Sequence, residues 1–302
     1  MLKMLFIGSS SIVEEHIKTA VYLKFKLYSL NSTKKNSENQ NKIYKKYFFE
    51  NKFVNWKEAI KKAGNKKNIV FLIAARVSDS EKILKFCSQY NNKIFIEKPI
   101  TFKNKKIFVK NFKNVFVGYN RLYFNTLNEI EKYNLKNFQC DVRMTYNNFT
   151  DIKNNISHIM SLLFYLFGDL KLIKKMNNKI NKVIIFKDKK NNLILLNLTK
   201  TKADNYSINI ITNELNLLLK PLEVLNIYKS VFFKFFSNNP KKMFVQQKLS
   251  KKLNEFNFNK FKPGFLEQMK TFKKFCKKKN FKIYNDLNFA NKIIRVCHKI
   301  IS

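Results

Sequence analysis

Apolar positions in the first 120 residues fall into short runs separated by helix-length stretches. Residues 2–7 (LKMLFI) are mostly apolar and stop at Gly8 and three serines. Residues 12–22 then set Ile12, Val13, His16, Ile17, Ala20 and Val21 at helical spacing. A second strand is expected over 25–30, a polar loop over 36–46, a short helix over 56–63 closed by Gly64, and a third strand over 69–74. Ser78 is placed to cap a helix running to about residue 90, and strands over 93–96 and 115–119 finish this half. Alternating strands and helices at this spacing predict a parallel, doubly wound sheet.

Beyond residue 120 the period changes. Residues 126–133 have helical spacing, 137–146 alternate as a strand, and 154–167 form a strongly apolar helix that Gly168 terminates. Strand-like runs at 182–186, 193–198, 206–211 and 214–219, joined by short polar turns, predict an antiparallel sheet. Two amphipathic helices, 265–278 and 286–301, close the chain. The expected fold class is α/β, with a Rossmann-type dinucleotide-binding domain over 1–120. A C-terminal α+β domain on an open, mainly antiparallel sheet follows over 121–302, its terminal helices able to pack back on the first.

Composition narrows the function classes. A hydrophobic fraction of 45% with 31 phenylalanines fits a packed protein rather than a disordered chain. The net charge of +40 invites a nucleic-acid reading, but only Arg76, Arg121, Arg143 and Arg295 are arginine and the lysines run along the whole length. Nucleic-acid sites gather basic residues into a patch and use arginine for bidentate contacts. The joint excess of Lys, Asn, Ile and Phe with scarce Gly and Pro instead matches AT-rich coding. No specific nucleic-acid partner is expected, only attraction to polyanions at low salt. Cys87, Cys140, Cys276 and Cys297 lie far apart without a metal-ligand pattern, so free thiols and no metal are expected. The longest apolar run, 159–167, is too short to span a membrane, and the start reads as a strand, not a signal segment. A cytoplasmic protein is expected.

Three stretches carry candidate chemistry. Gly8-Ser9-Ser10-Ser11-Ile12 joins a strand to a helix, where small residues and helix amides can meet a pyrophosphate. Of the G-x-G-x-x-G fingerprint only Gly8 remains, with Ser10 and Val13 at the other positions, and Val13 is expected to loosen helix–strand packing. The same residues also fit an α/β unit that binds nothing there. The second strand ends in Ser29-Leu30-Asn31-Ser32-Thr33-Lys34-Lys35 without the carboxylate an NAD ribose usually meets, which favours NADP over NAD. A lysine-rich loop of no such function is the plain alternative. Finally, the strand at 93–96 runs into Glu97-Lys98-Pro99 at the end that faces the ligand crevice in such sheets. Proline restrains Lys98 there.

Taken in order, these motifs resemble the glucose-fructose oxidoreductase/inositol dehydrogenase/MocA-like family over nearly the whole chain. FIGSSSIVEEH matches its glycine-rich turn with His16 at the expected offset. IVFLIAARVSDS matches its A-T-P strand turn, IFIEKPIT its Glu-Lys-Pro signature and VGYNRLY its V-G-Y-N-x-R strand. NNISHIMSLLFYLFGDL matches the D-L-S-H…L-F-G helix, and FLEQMKTFKKFC with NDLNFANKIIRVCHKI the closing helices. The resemblance implies hydride transfer between a nicotinamide and a sugar or nucleotide-sugar, with a place in surface polysaccharide synthesis. It implies Lys98 at the substrate oxygen, Glu97 fixing its loop, and His158 as acid/base. Ser32, Ala74, Ala75, Arg76, Glu97 and Lys98 would join Gly8 to Ile12 at the cofactor. Tyr119, Asn120, Arg121 and Asn155 would meet the substrate, with Arg121 gripping an anionic group. A homodimer or tetramer is also implied.

The departures matter. The family aspartate ahead of His158 is Asn155, a later one is Ser161, Ala75-Arg76 replaces Thr-Pro, and Ser80 replaces a common histidine. They leave a second expectation: a catalytically silent member that binds a nucleotide or sugar as a sensor or subunit.

Overall fold

A computed structural model gives the fold; it describes residues 1–34, 37–178, 180–235, 243–257, 260–278 and 281–302, without the side chains of 230–235, 243–247 and 257. The first elements are β1 (Lys3–Ile7), α1 (Ser11–Tyr22), β2 (Lys26–Asn31), α2 (Glu38–Lys46), α3 (Trp56–Ala63), β3 (Ile69–Ile73), α4 (Val77–Cys87), β4 (Ile94–Glu97) and β5 (Val115–Gly118). The strands pair in parallel in the order β2-β1-β3-β4-β5. β3 is buried at every position and β4 at all but its last, as strands covered on both faces must be. The expected doubly wound parallel sheet is therefore present.

Two local expectations are corrected. Residues 36–46 are not a loop: α2 occupies most of them although Ile43 is its only buried residue. Polar ties hold it, since Ser37 caps the Gln40 amide, while Gln40 Nε2 and the Tyr44 hydroxyl both donate to the Leu30 carbonyl at 2.9 and 2.7 Å. Ser78 does not cap α4. Arg76, with extended backbone, holds the N-cap position, and its carbonyl accepts from the Ser80 amide at 2.9 Å. The helix stops at Cys87, three residues short of the expected end.

The chain continues through α5 (Asn125–Ile130), β6 (Gln139–Tyr146), α6 (Phe149–Phe167), β7 (Lys171–Asn177), β8 (Asn181–Lys187), β9 (Leu193–Lys200), β10 (Ser207–Ile211), β11 (Leu215–Leu219), β12 (Val224–Phe235) and β13 (Met243–Asn254). The strands form one sheet, β13-β12-β11-β10-β6-β9-β8-β7, antiparallel except for β6 with β9. Alternate residues (Val142 and Met144; Leu196 and Leu198; Ile208 and Ile210) are buried, and the opposite face carries Leu195, Asp141, Asn209 and Leu218 in register. Asn148 and Asp151 start α6 with a reciprocal capping box, so it begins five residues before the expected 154. β7, β12 and β13 had no counterpart among the expected strands.

Last come α7 (Phe265–Lys277) and α8 (Leu287–Ile301). Two compact units result: residues 1–123 with 261–302, and residues 124–260. In the first, Met269, Phe272 and Phe275 of α7 join Met4, Phe6, Phe95 and Phe116 in one buried cluster. Val13, at the third position of the glycine fingerprint, lies fully buried in that cluster. Asn285, just ahead of α8, closes the free edge of β5, its carbonyl accepting the Val117 amide at 2.9 Å.

Candidate cofactor and active site

The turn from β1 to α1 is built by close approach. Gly8 has φ +119°, and a Cβ placed there would lie 2.1 Å from the Ala74 carbonyl oxygen at the end of β3. Only glycine fits that backbone and that space. The Gly8 amide donates to the Asn31 carbonyl at 2.9 Å, drawing the ends of β1, β2 and β3 together. Ser10 sits at the N-cap of α1 without a side-chain capping bond. The amides of the first helical turn follow it, where an anion is favoured.

A cavity of about 590 Å³ opens from this point. Gly8, Ser9 and Ser10 form one wall, Ser32, Thr33 and Lys34 a second, the start of α2 a third, and Ala74, Ala75 and Arg76 a fourth. The Ser9 hydroxyl lies 3.1 Å from that of Ser32 and 2.8 Å from that of Ser37, so three serines from three elements converge. Seven of the residues expected at a cofactor (Gly8, Ser9, Ser10, Ser32, Ala74, Ala75, Arg76) line this one cavity. Ser11 and Ile12 open the helix beside it without lining it. Lys35 lies outside the described residues. Ser37, Glu38 and Asn39 also line the cavity, from a stretch whose polar sequence carries no helical period. Glu38 is the single acidic residue among the described lining residues.

β4 ends in the Glu-Lys-Pro sequence. Glu97 Oε1 lies 2.7 Å from His16 Nε2, and Glu97 Oε2 accepts from the Lys98 amide at 3.2 Å. The Lys98–Pro99 peptide is cis. Enclosure pushes the Lys98 ammonium down to about 8; Glu97 opposes this, Arg121 adds to it, Cys297 opposes it, and Lys262 adds to it. Lysine is thus held where it can change protonation state near neutrality. Tyr119 is buried against the edge of Phe289, and burial pushes its phenol well up. Its hydroxyl is therefore a neutral group. Asn120 Nδ2 donates to the Pro263 carbonyl at 3.1 Å, while Arg121 is half-buried in the same unit. None of Glu97, Lys98, Tyr119, Asn120 and Arg121 lines the serine cavity.

His158 and Asn155 belong to the second unit, on the half-buried side of α6. They are three residues apart and so share a helical face. The Ser161 hydroxyl donates to the His158 carbonyl at 2.9 Å, which gives that serine a local structural role. Among the described residues no group of His, Cys, Asp and Glu could hold a metal ion. All four cysteines are free thiols. No helix among the described residues is long and apolar enough to cross a membrane.

No family model and no curated protein sequence matches the chain. Solved structures do. The chain is similar to a dehydrogenase from Clostridium difficile, with TM-score 0.74, 16% identity, and 99% of this chain and 98% of that one covered. It is similar to a levoglucosan dehydrogenase in complex with NADH, with TM-score 0.72, 12% identity and coverage of 99% and 96%. A UDP-N-acetylglucosamine 3-dehydrogenase from Acidithiobacillus ferrooxidans follows with TM-score 0.68, 9% identity and coverage of 99% and 95%. The chain therefore has the two-part fold of the glucose-fructose oxidoreductase/inositol dehydrogenase/MocA-type dehydrogenases. At these identities the likeness is one of fold.

Proposed function

We propose that this protein is an NAD(P)-dependent oxidoreductase that moves a hydride between nicotinamide and a hydroxyl or keto carbon of a sugar or nucleotide-sugar. The observation that carries this reading is the cradle at the carboxyl ends of β1, β2 and β3. There a glycine that admits no side chain opens onto a polar cavity of about 590 Å³. A bound nicotinamide would supply or accept the hydride. The chain's part is to bind, orient and move protons. Gly8, Ser9, Ser10 and the opening turn of α1, with Ser11 and Ile12, hold the pyrophosphate. Lys98 hydrogen-bonds the substrate oxygen, Glu97 steadies that lysine, and His158 takes or returns the hydroxyl proton. Tyr119, Asn120, Arg121 and Asn155 bind substrate.

For the cofactor we favour NADP. Ser32, Ser37, Lys34 and Arg76 border the cavity beside the start of α2, whose dipole also favours an added phosphate. Glu38 supports NAD as a second reading, since its carboxylate on the same wall can accept from ribose hydroxyls. A silent sensor is the other alternative, favoured by Asn155, which cannot stabilise a charged imidazole as a carboxylate would.

Turnover of a panel of sugars and nucleotide-sugars, read at the nicotinamide absorbance, tests the enzyme reading. Lys98→Ala should lower kcat by at least about 100-fold while cofactor affinity stays within about threefold. Undiminished turnover in that variant would refute the role of Lys98. Cofactor binding with no turnover across the panel would favour the sensor.

A further inference from the structure

His16 has no part in the function proposed above, yet its side chain is only 1% exposed and its Nε2 meets the Glu97 carboxylate 81 residues away in sequence. The ring stands against Phe95 of β4 and Phe265 of α7, with centroids 5.0 and 4.9 Å away. Its Nδ1 is buried without a hydrogen-bond partner among the described residues. An ionised carboxylate only accepts, so Nε2 carries the hydrogen and points it at Glu97. The carboxylate is confined on other sides as well. Oε2 takes the Lys98 amide, and a Cβ on Gly118 would come within 2.9 Å of Oε1. Both oxygens are thus committed, one to α1 and one to the backbone of the lysine that follows.

We propose that His16 is a positioning residue for the end of β4: its Nε2–H pins the Glu97 carboxylate beside Lys98 and so fixes the charge that the lysine experiences. The groups acting on Lys98 are Glu97, Arg121, Cys297 and Lys262, and Glu97 is the carboxylate among them. Released from the imidazole, Glu97 turns toward water, to which it is already 15% exposed, and its support for the ammonium weakens. The catalytic meaning of this control rests on the role proposed for Lys98; the physical coupling does not.

The test therefore uses the ligand-free protein. The rate at which acetic anhydride modifies Lys98 is followed against pH by mass spectrometry of the peptide that bears it. His16→Phe keeps an aromatic ring between Phe95 and Phe265 and removes the donor. The Lys98 midpoint should fall by about half a unit, raising its labelling at pH 7 about threefold. His16→Gln, which retains a donor, should stay near the wild type. Glu97→Gln should shift the midpoint the same way, and adding His16→Phe to it should change nothing further. An unchanged midpoint in a folded His16→Phe protein, or shifts that simply add in the double variant, would overturn the proposal. His16→Leu repeats the measurement should phenylalanine distort the ring stack. Failure of nicotinamide to bind would sink the proposed function and leave this result standing.

Discussion

Gly8 and Lys98, proposed for cofactor and substrate respectively, show how differently two functional candidates can be constrained. At Gly8 the limit is space. Gly8→Ala must either push the Ala74 carbonyl away or abandon φ +119°, and should destabilise the protein by about 2–4 kcal/mol. Urea denaturation of the two proteins checks this, and a cost below about 0.5 kcal/mol would mean the turn relaxes freely. At Lys98 the limit is charge. Its folded-state pKa of about 8 lies below the ordinary 10.5, so the folded protein binds the lysine proton less well than the unfolded chain does. Stability then rises with pH between those values, and the cost of the buried ammonium is largest below pH 8. Lys98→Met should therefore stabilise the protein at pH 7, by on the order of 1–3 kcal/mol, with the gain fading toward pH 10.5. Thermal melts across that range give the sign directly. A site lysine whose removal stabilises the fold is kept for something other than folding.

At the scale of elements, what could be read from sequence depended on whether burial or polar bonding held the segment. β1, β3, β4 and α1 were legible because each buries an unbroken run or a helical stripe. α2 was not, because ENQNKIYKK buries one side chain and is anchored through Ser37, Gln40 and Tyr44 instead. Polar anchoring leaves no period to detect. β7 is illegible for a related reason: KLIKKMN is an edge strand exposed at most positions, where lysines discourage further pairing. The hidden α2 matters for the proposed function, since its start supplies Ser37 and Glu38 to the cavity. Ser37→Ala should cost about 1 kcal/mol through loss of the cap. It should also weaken NADPH binding about three- to tenfold, because the serine cluster loses a member. Fluorescence titration after confirming the fold by circular dichroism separates the two effects. Unchanged affinity would remove α2 from the site.

For the whole molecule, the net charge of +40 says little about function. In most of the ion pairs described, such as Lys18 with Glu15 and Lys270 with Glu267, the lysine end is exposed, and pairs so open to water contribute little to stability. Oligonucleotide retardation should be visible at about 20 mM salt and gone by about 150 mM, as diffuse charge requires. A complex surviving the higher salt would point to an organised patch. The order of motifs in the chain anticipated the two-part fold, and the parallel sheet gathers most of the expected cofactor residues around one cavity. The sequence could not reveal which distant groups meet. His16 with Glu97, and Ser9 with Ser32 and Ser37, are joined only by the folding of β2, β1, β3 and β4 into one sheet.

The central claim is that the cavity at Gly8 holds a nicotinamide dinucleotide. Purified protein should be titrated with NADPH and, separately, NADH, following nicotinamide fluorescence, with Gly8→Val in parallel. The account predicts saturable binding in the micromolar range, tighter for NADPH, and its loss in the variant. Folded protein that binds neither dinucleotide, or Gly8→Val protein that binds as the wild type does, would contradict it.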